Sequence, residues 1–565
     1  MSFLNLFRKK SLDTILKQGG DGEHSGLNKV LNVKDLTFFG IAAIIGGGTF
    51  SAIGNACFSG GPGVILLYVM CAIACGFTAM CYAEFASRVP VSGSAYTYAY
   101  VSFGELFAWI IGWALLMEYS IGNIYIAFSW SGYFTNLLET FHIHLPEWLT
   151  INYKSAHAAF LENKAGEGLL AWTNAPEIGG LKVIFDMPAV VINILITFLI
   201  YKGTKESKNL SNAMVYVKLV IILLVIIVGA FYIDIKNWTP FMPNGFGGVM
   251  AGVSAVFFAY IGFDAVSTLA EESKNPQRDL PRGMIYSLVI CTVVYIILAL
   301  VLTGMVSYNL LGVSDPLAEI FALKGVKWML FIVSIAAVVA MTSVMLVFQM
   351  GQPRIWMTMS RDGLMPKKFA EIHPKHKTPG FATIITGLVV GLPIFFTDEN
   401  FVLDFTSIGT LFAFVLVCGG VLMLSPQNEA ELAERATKGK FRIPYINSKF
   451  IFPSIVALTI AILSIYVPNF FTDTFDFSED KLARNLPMIA FFILTIVMTV
   501  LAFVKHLSLI PLLGLVSCCY LLTGMAVSNW KWFGVWLVIG LVIYFCYGFK
   551  NSKLNKNRIE ATIED

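Results

Sequence analysis

The sequence predicts an all-α polytopic membrane protein of about 14 transmembrane helices. Three observations predict it. Of 565 residues, 57% are hydrophobic and only 13% charged, and the mean hydropathy is +0.73, well outside the composition of a soluble domain. Apolar stretches long enough to cross a bilayer as helices recur from Leu36 nearly to Phe549, and they lack the short alternating pattern of an outer-membrane barrel. Two of them carry glycine interruptions at matching places in two five-span halves, the pattern of an inverted-repeat (5+5) core with discontinuous helices 1 and 6.

Residues 1–34 are polar and basic, with Phe3, Leu4, Phe7, Leu12, Ile15 and Leu16 set among Arg8, Lys9, Lys10 and Lys17. That suits an amphipathic helix on an anionic membrane face, and a solvated basic tail equally well. The segment lacks the apolar core and cleavage site of a secretory signal. Span 1, about 36–58, contains Gly46, Gly47 and Gly48, each roughly 1 kcal/mol worse than alanine in a helix interior. Non-helical backbone at membrane depth is tolerated only where it lines a cavity or is buried in protein, so the triplet reads as one wall of a binding site.

Spans 2 to 5 fall at about 63–86, 100–128, 187–203 and 210–233, and the segment at roughly 142–185 shows no sign of a separate domain. Span 6, about 249–270, has Gly262 in its middle beside Asp264. Spans 7 to 10, about 283–306, 328–352, 380–397 and 403–424, complete a core over 35–424. Four further spans, about 450–467, 487–504, 508–527 and 532–549, occupy 425–549 before a tail at 550–565.

With the N-terminus inside, 29 of the 39 Lys and Arg fall in cytoplasmic segments. The positive-inside rule then sets both termini in the cytoplasm of a multi-pass protein of the cell membrane. All nine cysteines lie in apolar stretches, without a disulfide framework or zinc spacing. His373 and His376 in HPKH have no companion ligands, so no metal site is expected.

Four stretches resemble the amino acid-polyamine-organocation (APC) superfamily of transporters, within its cationic amino acid transporter-like branch. They are GIAAIIGGGTF at 40–50, VPVSGSAYTYAY at 89–100, FFAYIGFDAVSTLAEESKNPQRDLPRGM at 257–284 and GQPRIWMTMSRDGLMPKKF at 351–369. The resemblance implies a leucine transporter-like inverted-repeat core. It also implies that the amides of Gly46, Gly47 and Gly48 hold a substrate α-carboxylate, while the carbonyls of Ile44, Phe258 and Ile261 take its α-ammonium. Half-helix N-termini and unwound carbonyls suit those two charges independently. The family motif usually reads GIGAIIGTGIF, so Gly47 stands where threonine is usual and substrate preference is not simply inherited.

Lys218 sits about eight residues, ~12 Å, into span 5. A central lysine costs roughly 2.5–3.5 kcal/mol on insertion scales, so it needs a reason. Snorkelling to the interface is one; a proton-coupling role, which the resemblance also implies, is the other. A competing sodium site would use Thr342 and Ser343 of span 8. Glu118 and Asp264 are buried acids that contact substrate, serve a proton path or pair within the bundle. Tyr260 and Phe263 are candidate pocket walls. Glu271, Glu272, Arg282 and Arg354 are candidate gate charges, although any one of them reads more simply as a solvated loop charge.

The expected function is secondary active amino acid transport by proton-coupled symport with alternating access. An exchanger, a sodium-coupled carrier and a non-transporting amino acid sensor are the alternatives. No phosphate loop, nucleophile elbow or metalloprotease helix is present, so an enzyme is not expected. The expected partners are an amino acid and membrane lipids, with no cofactor and no nucleic acid; a small accessory membrane subunit is left open.

Overall fold

The computed structural model describes residues 6–10, 29–162, 166–313, 315–424, 441–466, 470–475 and 478–555. Most of the amphipathic segment expected at 1–34, and most of the tail at 550–565, lie outside them. Among the described residues nine helical segments are long and apolar enough to cross a membrane. One of these, Gly48–Arg88, holds two antiparallel runs joined at Gly61–Gly63, where Gly61 has a φ of 60°. With the shorter apolar helices Met187–Lys202, Gly380–Phe395 and Leu509–Thr523, and with span 6, which is broken into short pieces, the spans number the fourteen that hydropathy predicts.

Span 1 begins at Asn32, whose side chain caps the Asp35 amide while Asp35 returns the bond to the Asn32 amide. Such a capping box fixes a helix start. The helix Val33–Ile44 then stops at extended Ile45, and winding resumes at Gly48–Ala52 and Ile53–Gly60. Span 6 runs through Gly245–Ala251 and Val253–Phe258, breaks, and continues as the tight helix Asp264–Glu272.

The break in span 6 requires Gly262, whose φ is 118°. A Cβ there would lie 2.6 Å from the Ala43 Cβ, and one on Gly48 would lie 2.5 Å from the Ala259 Cα. The two interruptions therefore press against each other, each glycine making room for the other span.

Span 3, Glu105–Thr140, forms the centre with 89% of its apolar window buried, whereas span 11, Ser448–Ile465, has 11% and span 12, Asn485–Lys505, 17%. The buried helix is shielded from lipid by its neighbours, and spans 11 and 12 lie on the rim. Spans 13 and 14 pack on the core: Trp113 and Trp536 stack at 4.7 Å, and each indole donates to the other residue's carbonyl, at 2.8 and 3.1 Å.

The segment at 142–185 is more organised than its sequence suggests. It contains the helices Tyr153–Leu161 and Glu167–Asn174 and a hairpin pairing Glu177–Ile178 with Leu181–Lys182. Gly179 and Gly180, at φ 62° and 82°, make the tight turn, and Ala156, Ala171, Ala175 and Ile184 form a small apolar cluster beneath Trp148 and Trp172.

Both ends of the described chain meet at one face. The Arg8 guanidinium lies 5.2 Å from the Phe549 ring and pairs with Glu105 at 3.3 Å, while Lys10 pairs with buried Asp362 at 2.5 Å. This face carries the basic loops. Here the solvated-charge reading fails: Arg354 and Glu272 are both 1% exposed and bonded at 2.7 Å, and Arg361 grips both oxygens of Glu271 at 3.1 and 3.0 Å. The helix Ser94–Ser102, from the VPVSGSAYTYAY stretch, packs beside them, with Ser94 and Ser267 hydroxyls 2.7 Å apart. Arg282 is exposed.

Candidate functional site

Where the two breaks meet, Ala43, Ile44, Gly47, Gly48, Ile126, Phe258, Ile261, Val344 and Phe348 enclose a cavity of about 10 Å³, room for about one water. A larger occupant requires these walls to part. Among the described residues, the amides of Gly46, Gly47 and Gly48 donate no hydrogen bond within the protein; the Gly46 carbonyl accepts from the Thr49 and Phe50 amides at 2.9 and 3.0 Å. The glycines thus present free N–H groups at the start of a half-helix, a ready site for an anion.

The opposite charge has its own seat. The Ile44 carbonyl accepts from the Tyr295 hydroxyl at 2.8 Å, and the Phe258 carbonyl from the Ile261 amide at 3.2 Å. Each keeps a second lone pair. Tyr295 also accepts from the Thr49 hydroxyl at 3.1 Å, so it links both sides of the first break.

Gly47, where the related motif carries threonine, faces Ile126 and Tyr125: a Cβ there would lie 2.6 Å from the Ile126 Cδ1 and 3.0 Å from the Tyr125 Cε1. Span 3 fills the space that a larger residue would need. On the other side Val344 crowds Gly46, whose Cβ would lie 2.2 Å from the Val344 Cγ2. The cavity's side-chain walls are apolar throughout.

Lys218 is fully buried and does not snorkel. Its Nζ donates to the carbonyls of Ile45 at 2.7 Å and Ala42 at 3.0 Å, and to the Ser343 hydroxyl at 3.0 Å. All three ammonium protons have acceptors, which offsets much of the cost of burying the group. The lysine therefore joins the broken end of span 1 to span 8 immediately behind the glycines. Thr342 faces elsewhere, donating to the Val338 carbonyl and accepting from the Trp130 indole at 2.9 Å.

Other sequence candidates fall outside the cavity wall. Tyr260 points to span 2, donating to the Tyr68 carbonyl at 3.1 Å, and Phe263 packs on Tyr82 and Phe414. Glu118 and Asp264 lie in a buried cluster on the basic-face side of the break and interact electrostatically. The Tyr119 hydroxyl reaches Asp264 at 3.4 Å, and neither Glu118 oxygen meets hydrogen-bond geometry within the protein, although the Thr410 hydroxyl stands beside it.

Sequence reasoning missed Ile126, Val344, Phe348 and Tyr295. Val344 and Phe348 are one turn apart on the span that supplies Ser343, so helical spacing from that serine was an available signal.

A family model described as Amino acid permease matches residues 31–498, and one described as C-terminus of AA_permease matches residues 506–552. The chain is 37% identical over 554 residues to the Branched-chain amino acid permease BcaP of Bacillus subtilis (strain 168), covering 98% of this chain and 99% of that protein. It is 35% identical to the Methylthioribose transporter of the same organism, over 98% and 100% of the two chains. Identity to Cationic amino acid transporter 9, chloroplastic, of Arabidopsis thaliana is 38% over 76% of this chain and 73% of that one.

Proposed function

Because this chain belongs to the amino acid permease family of the APC superfamily, we propose that it carries amino acids by proton-coupled symport with alternating access. It is a multi-pass membrane transporter and not an enzyme; the coupling and the substrate side chain are the proposal. The observation that carries the coupling is Lys218, whose ammonium bonds two carbonyls at the break in span 1 and Ser343 of span 8. Deprotonation would remove the cation and free acceptors that hold span 1 against span 8, so proton loss loosens the site's rear wall. The same ammonium occupies the oxygen set that a sodium ion would need at Ser343, which supports the proton over sodium.

The substrate's α-carboxylate would lie on the glycine amides and its α-ammonium on the carbonyls of Ile44, Phe258 and Ile261. The side chain then meets Ile126, Val344 and Phe348, which supports an uncharged, apolar amino acid. A carboxylate facing a cationic side chain is missing from the cavity wall among the described residues. The full-length similarity to a branched-chain amino acid permease supports the same class. The basic face would be cytoplasmic, by the positive-inside rule.

Binding of the twenty amino acids and of methylthioribose, read as ligand-induced thermal shifts of the purified protein, tests the substrate class. Leucine, isoleucine or valine is expected to lead; selective stabilisation by arginine or lysine would overturn the apolar assignment.

A further inference from the structure

Glu399 opens span 10, Glu399–Leu424, on the face opposite the termini. Its Oε1 accepts from the Ser129 hydroxyl at 3.0 Å and, more weakly, from the Ser51 hydroxyl at 3.5 Å. The Tyr125 hydroxyl is directed at the same carboxylate. Ser51 lies in the winding that follows the glycine triplet, and Ser129 and Tyr125 are one turn apart on span 3. One side chain therefore ties spans 1, 3 and 10 together.

Tyr125 carries that tie inward: it crowds Gly47 and packs edge-on against Phe258, ring centroids 4.7 Å apart. The neighbouring Asp398 pairs with Lys154 of the segment at 142–185, whereas among the described residues no Lys or Arg pairs with Glu399. Among the described residues its hydrogen-bond donors are hydroxyls, and hydrogen bonds to a carboxylate are roughly twice as strong as those between neutral groups.

We infer that Glu399 is a positioning residue that closes the outer side of the site, holding Ser51, Ser129 and Tyr125 while Tyr125 bears on Gly47. Release of the carboxylate lets the outer half of span 1 move away from spans 3 and 10, which opens the path from outside. The inference rests on the transporter reading, because closing the site matters only if the chain alternates between faces.

Amide hydrogen exchange and uptake in proteoliposomes test it together, in Glu399→Ala, Glu399→Gln and Ser129→Ala. Glu399→Ala should speed exchange over residues 48–60 and slow substrate uptake by about tenfold, the scale set by losing one charge-assisted hydrogen bond. Glu399→Gln keeps a carbonyl acceptor and should restore both readouts to within about threefold of the parent. Should Glu399→Ala not fold, Ser129→Ala removes the closest donor alone and should raise exchange in the same segment. Unchanged exchange over 48–60 in the folded variant overturns the inference, as does Glu399→Gln behaving like Glu399→Ala. Faster exchange in Glu399→Ala, with a parent protein that transports nothing, would leave the closure standing and sink the transporter reading instead.

Discussion

A methyl group added at Gly48 tests whether the two broken spans must meet for the site to form. The alanine Cβ would lie 2.5 Å from the Ala259 Cα, 2.8 Å from its Cβ and 3.0 Å from its amide nitrogen. None of these atoms is the end of a flexible side chain, so restoring carbon contacts near 3.5–4.0 Å requires the breaks to part by about 1 Å. Overpacking of this kind costs about 1–3 kcal/mol. At roughly 1.4 kcal/mol per tenfold, and with the strain falling on the backbone contact between Gly48 and Ala259 rather than on the side-chain walls that part for substrate, Gly48→Ala should weaken substrate binding by about 5- to 140-fold. Equilibrium binding of radiolabelled leucine to the purified protein measures the loss, and the melting temperature without ligand separates it from a folding defect. A folded Gly48→Ala protein that binds within twofold of the parent would show that the two breaks need not meet for the site to form.

Gly47→Thr, which installs the residue usual in the related motif, should abolish leucine binding because its Cβ meets Ile126 and Tyr125; Gly47→Thr with Ile126→Ala should recover part of it in the same assay. Arg354→Ala leaves Glu272 buried without its partner, and breaking such a pair costs about 3–5 kcal/mol. The melting temperature in detergent should fall clearly. Arg354→Met with Glu272→Gln removes both charges and should melt closer to the parent, and equal loss in both variants would count against the buried pair. Val344→Ala should enlarge the cavity and shift the order of bound amino acids toward bulkier side chains, read in a competition series.

Much of the fold was legible because a bilayer enforces it. Span length and loop charge located the helices, and the cost of glycine in a membrane helix marked both breaks before any contact was known. The mutual fit of Gly48 with Ala259 and Gly262 with Ala43 is the physical content of that pairing, and the sequence could offer only the two interruptions. Lys218 was visible for the same reason, since a buried ammonium demands acceptors, but its three acceptors come from spans distant in sequence. What could not be read was orientation about a helix axis. Tyr260 and Ile261 are adjacent, yet one turns to Tyr68 and the other to the cavity. Ile126, Val344 and Phe348 look like ordinary lipid-phase residues, and only packing reveals which of them meets the glycines. The charges Glu271, Glu272 and Arg354 were misread because loop position suggested water, whereas span 6 brings both acids beneath span 8, where Arg354 and Arg361 pair with them.

Whether Lys218 couples transport to protons is decided by substrate accumulation in sodium-free proteoliposomes with an inwardly directed proton gradient, comparing the parent with Lys218→Ala. Concentrative uptake is expected of the parent and is lost in the variant, with binding retained. Undiminished accumulation by Lys218→Ala, or accumulation by the parent only when a sodium gradient is supplied, would contradict that coupling.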